Sequence, residues 1–166
     1  AAKYPLIRHF KVAQNIATSP VETVAGDRRE ASPANAGEFT AVGYFFARHL
    51  FERLKLPIGL INSTVGGKAV QSWIDPAALD ASAVGAAERQ RWQRTVADYP
   101  RAKAAYGPAL AAWARRAAAA KTRGDDFAER KPREPIGVGS RHTPTGLFNG
   151  MIAPLAGMAV RGIIWY

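Results

Sequence analysis

Residues 57–64, PIGLINST, form a short and nearly continuous apolar run between a proline and, one residue further on, the adjacent glycines Gly66 and Gly67. A run of this length bounded by turn residues suits a strand buried on both faces of a parallel sheet. It places the chain in the α/β class and marks a tight turn at the strand's carboxyl end. The glycine pair raises the functional question, because glycine lets other groups come close to the backbone.

The segments around this strand fit the same class. LIRHFKV, residues 6–12, reads as a strand leading into a long polar loop from Ala13 to Gly37. From Thr40 to Leu54 the residues Val42, Phe45, Phe46, His49, Leu50 and Leu54 recur at spacings of three and four. That spacing predicts an amphipathic helix with Thr40 as its cap. RGIIWY, residues 161–166, reads as a further buried strand. The 166 residues correspond to one domain or part of one.

The middle of the chain differs in composition. Between about residues 77 and 124, arginine and lysine alternate with alanine, which favours helix, and Pro100 and Pro108 divide the pattern. The expectation is an inserted helical hairpin, with Trp92, Tyr99, Tyr106 and Trp113 at sevenfold spacing packing its two helices together. A charged, proline-containing loop follows at about 125–145.

The net charge of +10 would draw polyanions, so a basic nucleic-acid-binding module is one functional alternative. No readout motif supports it, and a solvated helical face accounts for the charge, so no nucleic-acid partner is expected. Without cysteine the chain has neither disulfides nor thiolate metal ligands. No metal or organic cofactor is expected. No apolar run approaches the roughly 20 residues of a membrane-spanning helix, so no membrane partner is expected.

Three readings of VGGKAVQSW compete. A phosphate loop needs a longer glycine-bracketed turn ending in Lys and Ser or Thr, and a dinucleotide site needs GxGxxG; Gly66, Gly67 and Lys68 satisfy neither. The pair either only turns the chain or presents backbone N–H groups to a developing oxyanion. Trp73 either walls a pocket or stacks on a sugar, or it packs in the core.

Three blocks bear on that choice: TAVGYFFARHLFERLKLPIGLINSTVGG followed by QSW, PTGLFNGMIAPL, and RGIIWY. Together they resemble the sialate O-acetylesterase family of SGNH hydrolases, over most of residues 40–76 and 144–166 and less closely at 4–12. The resemblance implies a three-layer α/β/α SGNH-hydrolase (flavodoxin-like) domain with a central parallel sheet, of which this chain is an internal part. It also implies serine-dependent removal of acetyl groups from sugars, with an acetylated carbohydrate as substrate and the remainder of the same polypeptide as partner. Members of the family are commonly exported, which implies a periplasmic or secreted parent enzyme.

In such an enzyme a serine in a GQSN-like motif attacks the ester, a histidine acts as base and an aspartate orients it. By the resemblance, all three lie outside these residues, and the chain alone is expected to be inactive. Gly66 and Gly67 are the expected oxyanion donors. Lys68 stands where the family usually has threonine, and with Trp73 it is a candidate for substrate contact. Ser63 and Ser72 have no nucleophile motif around them. His9 and His49 are expected in structural roles, His142 in a solvated loop, and Asn149 in a turn with Gly150. A non-catalytic interaction protein on the same fold is the remaining alternative.

Overall fold

The computed structural model describes residues 3–165. Strand β1 (Tyr4–Val12) lies at the centre of a three-stranded sheet, between β2 (Gly26–Ala31) and β3 (Ile58–Asn62). β1 pairs antiparallel with β2 and parallel with β3, so the sheet is mixed where a parallel one was expected. β2 runs through GDRREA, inside the segment read as loop. Only its Ala31 is buried, and its order comes from hydrogen bonding to β1.

Successive side chains of β1 face opposite sides of the sheet, and each side carries a core. Ile7 packs with Ala31, Phe39, Tyr44 and Ala47 on one side, where helix α1 (Ala41–Leu54) crosses the sheet. Val12 packs with Val65, Leu147 and Met151 in a second cluster, which Phe10 and Trp73 extend. His9 is 3% exposed and its ring stacks on Phe39 at 4.5 Å. Burial lowers its pKa below the ordinary histidine value, reinforced by the nearby charge of Lys11.

Helix α1 begins after Thr40, whose carbonyl accepts from the Tyr44 N–H at 2.8 Å. It ends at Lys55, which is left-handed with φ 55°. The face it buries is not the predicted stripe. Gly43, Tyr44 and Ala47 turn inward, and Gly43 brings the helix against Leu60. Phe45, Phe46, Leu54 and His49 are exposed. Gly43 and Ala47 allow the close approach, Tyr44 and Phe51 pack beside them, and Phe45 and Phe46 occupy the other side of the helix. β3 is likewise only half-buried, with Gly59 and Ile61 exposed, so it is not covered on both faces.

After a short helix α2 (Pro76–Asp80), helix α3 (Ala83–Arg123) runs for 41 residues without a break. Asp75 caps α2 through its Oδ1, which accepts from the N–H groups of Ala77 and Ala78. Ser82 Oγ accepts from the Gly85 N–H at the start of α3. The expected hairpin is corrected to a single helical arm. Pro100 and Pro108 lie inside α3, and each removes one N–H donor. The arm is solvated almost all round, so water can take up the freed carbonyls, and the Ala- and Arg-rich sequence sustains the helix on either side.

What packs on the arm is an extended return segment. Trp113 Nε1–H donates to the Glu129 carbonyl at 2.9 Å and its ring meets Phe127 edge-on. Lys103 pairs with Glu134, and Gly137 lies against the Tyr99 ring, where a Cβ would come within 2.4 Å. The sevenfold aromatic spacing therefore marks a stripe that receives extended chain. Residues 125–145 contain neither helix nor strand.

Residues 161–165 are also not a strand. Ile163 is 87% and Trp165 77% exposed, and among the described residues no strand pairs with them. Apolar sequence becomes a strand only beside a hydrogen-bonding neighbour. The last residue of the predicted strand, Tyr166, lies outside the described residues.

Candidate oxyanion site

β3 delivers the chain to the edge of the sheet at Asn62, and the turn at Gly66 and Gly67 follows within four residues. Gly67 has φ +66°, a conformation that L side chains rarely adopt, so the turn requires glycine there. Gly66 has ordinary backbone, and a Cβ added to it would meet nothing within 4 Å. Both glycines are exposed. Among the described residues no backbone carbonyl accepts from either N–H, which leaves both donors uncommitted.

The turn is braced from beneath. A 3-10 turn, Val70–Trp73, follows it, and Ser72 is fully buried with its Oγ donating to the Arg141 carbonyl at 3.3 Å. Ser63 Oγ donates to the Met151 carbonyl at 2.9 Å. Both hydroxyls are thus spent on main-chain carbonyls, and neither lies within hydrogen-bonding distance of a histidine or carboxylate. Trp73 is half-buried against the cluster of Val12, Val65, Leu147 and Met151.

Lys68 reaches across to a residue 74 positions away: its Nζ is 3.4 Å from His142 Nε2. His142 is half-buried, which corrects the expectation of a solvated loop residue. Sequence reasoning missed this pair because nothing local to either residue signals it. His9 and His49 lie elsewhere, on β1 and α1. The structure therefore brings Gly66, Gly67, Lys68 and His142 together and places Trp73 in the packing behind them. No cluster that could hold a metal is present among the described residues.

Asn149, expected in a turn, lies 1% exposed within a short π-helical turn, Phe148–Ile152. Its Nδ2 donates to the Ala17 carbonyl at 3.2 Å, and its carbonyl accepts from the Val21 N–H. It ties the 13–21 loop to the core. Gly150 beside it admits the Asn15 carbonyl so closely that a Cβ would stand 2.3 Å from that oxygen. No helix of the described residues is long and apolar enough to cross a membrane.

No family model matches the chain. Sialate O-acetylesterases of Rattus norvegicus and Homo sapiens are 28% and 26% identical to it over 99% of its length. A solved structure of a carbohydrate acetylesterase from Xanthomonas citri superposes with a TM-score of 0.59 at 30% identity, also over 99% of the chain. The chain spans 25–29% of the length of the curated relatives it matches and 25% of that solved chain. The likeness takes in the helical arm as well as the three motif blocks, and across its whole length the chain resembles the sialate O-acetylesterase family.

Proposed function

We propose that this chain is part of a carbohydrate O-acetylesterase of three-layer SGNH type, in which it supplies scaffold and part of the oxyanion hole. The observation that carries the reading is the turn at Gly66 and Gly67, exposed and uncommitted at the carboxyl end of a strand, where open α/β sheets hold their ligands. The likeness to acetylesterases supplies the chemistry. A serine from elsewhere in the polypeptide attacks the acetyl carbonyl carbon. The carbonyl oxygen takes up negative charge, and a glycine N–H donates to it. Collapse of the tetrahedral intermediate breaks the bond to the sugar oxygen, which takes up the proton given up by the serine and departs as a hydroxyl, leaving an acetyl-serine that water hydrolyses to acetate and free serine. The parent enzyme acts outside the cytoplasm on this reading, and no organic cofactor takes part.

The test uses the full-length protein and an O-acetylated sugar, with released acetate as the readout. Gly66→Val keeps the N–H but puts bulk beside it, and is expected to lower kcat by up to roughly 10²–10³, the loss of one whole donor, with little change in KM. Ser63→Ala is expected to retain turnover. Loss of turnover in Ser63→Ala or Ser72→Ala variants that still fold would place a nucleophile within this chain and refute the assignment. An unchanged kcat in Gly66→Val would reduce the pair to a turn.

A further inference from the structure

A cleft of about 240 Å³ opens between the first turns of α3 and the loop that returns to the core, with Arg89, Trp92 and Gln93 on one wall and Thr143, Pro144 and Thr145 on the other. A second cleft of about 150 Å³ shares Trp92 and Pro144 with it and extends to Gln71, Glu88 and His142. His142, on the wall of the second cleft, contacts Lys68, the residue that follows Gly67.

The chemistry of the walls is specific. Trp92 is half-buried between them. The Arg89 guanidinium is held by both carboxylate oxygens of Asp80, and Glu88 accepts from Arg91 at 2.7 Å and from the Gln71 amide at 3.4 Å. The charges are answered within the protein, which leaves an aromatic surface beside amides and hydroxyls. A phosphate or carboxylate would find little unpaired charge on these walls. A pyranose would find what it needs: a ring on which to lay its C–H face, and planar groups that donate to and accept from its hydroxyls.

The wall is also held rigidly. Thr145 is a buried β-branched residue at φ 61°, a strained conformation that persists only where its surroundings enforce it. Here its N–H donates to the Gln71 carbonyl and its own carbonyl accepts from the Asn149 N–H, both at 2.8 Å.

We propose that these joined clefts form a subsite for a second sugar ring of an acetylated oligosaccharide, with Trp92 as the stacking platform and Gln71 and Gln93 as hydroxyl partners. Each cleft by itself is below the roughly 300–1,000 Å³ of pockets that enclose a whole drug-sized ligand, which suits one ring laid on Trp92 while the acetylated ring lies at the glycine turn. The proposal rests on the carbohydrate-esterase reading above.

The experiment compares kcat/KM of the full-length protein on an O-acetylated trisaccharide with that on the matching O-acetylated monosaccharide. Trp92→Ala is expected to lower the trisaccharide-to-monosaccharide ratio roughly tenfold, the loss of one ring-face contact. Trp92→Phe keeps the ratio within about threefold of the original, because a ring remains. Gln93→Ala, at an exposed position where folding is not at stake, lowers it about threefold, as expected for one hydrogen bond. A ratio unchanged in both alanine variants, or an equal fall on both substrates, overturns the subsite. Failure of the unaltered enzyme on every acetylated sugar, with turnover of an aryl acetate, refutes the carbohydrate reading instead. The subsite is then decided by titration with the deacetylated trisaccharide. A tryptophan fluorescence change lost in Trp92→Ala supports it, and no change in the unaltered protein overturns it.

Discussion

Alanine at Gly66 and alanine at Gly67 are expected to have opposite effects on stability, although the positions are adjacent. At Gly67 the backbone sits at φ +66°, and an L side chain held there costs roughly 1–2 kcal/mol. Replacing glycine also narrows the unfolded ensemble, which returns about 0.4–1 kcal/mol. The net cost at Gly67 is about 1 kcal/mol. At Gly66 the backbone is ordinary and a Cβ meets nothing within 4 Å, so only the unfolded-state term acts and stability rises by about 0.5 kcal/mol. The two variants should therefore differ by roughly 1–2 kcal/mol. Urea unfolding of the full-length protein measures this, with unchanged m-values as the check that the native fold is kept. If Gly66→Ala were the less stable variant, or the two were equal, the turn would not have the conformation on which the donor geometry depends.

Gly150→Ala should destabilise the protein by roughly 1–3 kcal/mol, because its Cβ would stand 2.3 Å from the Asn15 carbonyl oxygen; a thermal melt that does not move would mean that the 13–21 loop yields freely. Trp113→Ala removes the ring on Phe127 and the bond to the Glu129 carbonyl, so tryptic cleavage after Arg130 and Arg133 should speed up about tenfold; an unchanged rate would show that the return segment is held elsewhere. His9 binds its proton less readily folded than unfolded, where its pKa is about 6.5. Its contribution is therefore complete above that pH and declines as pH falls toward the lowered folded value. Stability should rise with pH through this window, and a His9→Phe variant, which keeps a ring against Phe39, should show a shallower rise. Equal slopes would contradict the burial argument.

The residues that were legible in the sequence are those whose signal is local. PIGLINST followed by two glycines located a strand and the turn at its end, and Pro76 located the start of a helix. β2 escaped because GDRREA has no apolar alternation, and its order comes from pairing with β1. α1 was found, but its buried face was not. Periodicity weighs Phe45 and Phe46 above Gly43 and Ala47, whereas close packing on the sheet selects the small residues. The prolines of α3 read as breaks because their cost is visible in sequence, while the solvent that relieves it is not. At the site, the approach of Lys68 to His142 spans 74 positions and depends on the return of the arm, which no local pattern encodes.

That return has a further consequence. The chain leaves the core just after Trp73 and comes back at Arg141 to Thr145, and the two ends are laced together by Ser72 Oγ to the Arg141 carbonyl and by the Thr145 N–H to the Gln71 carbonyl. Everything beyond this lacing is a closed appendage standing on a single narrow base. The appendage is a stiff helix with an extended segment packed along it, so a change in its length is taken up at its far end and leaves the glycine turn in place, so long as the laced base is kept. In that sense Ser72 and Thr145 act as a gasket between a part of the molecule that is free to vary and a part that is not.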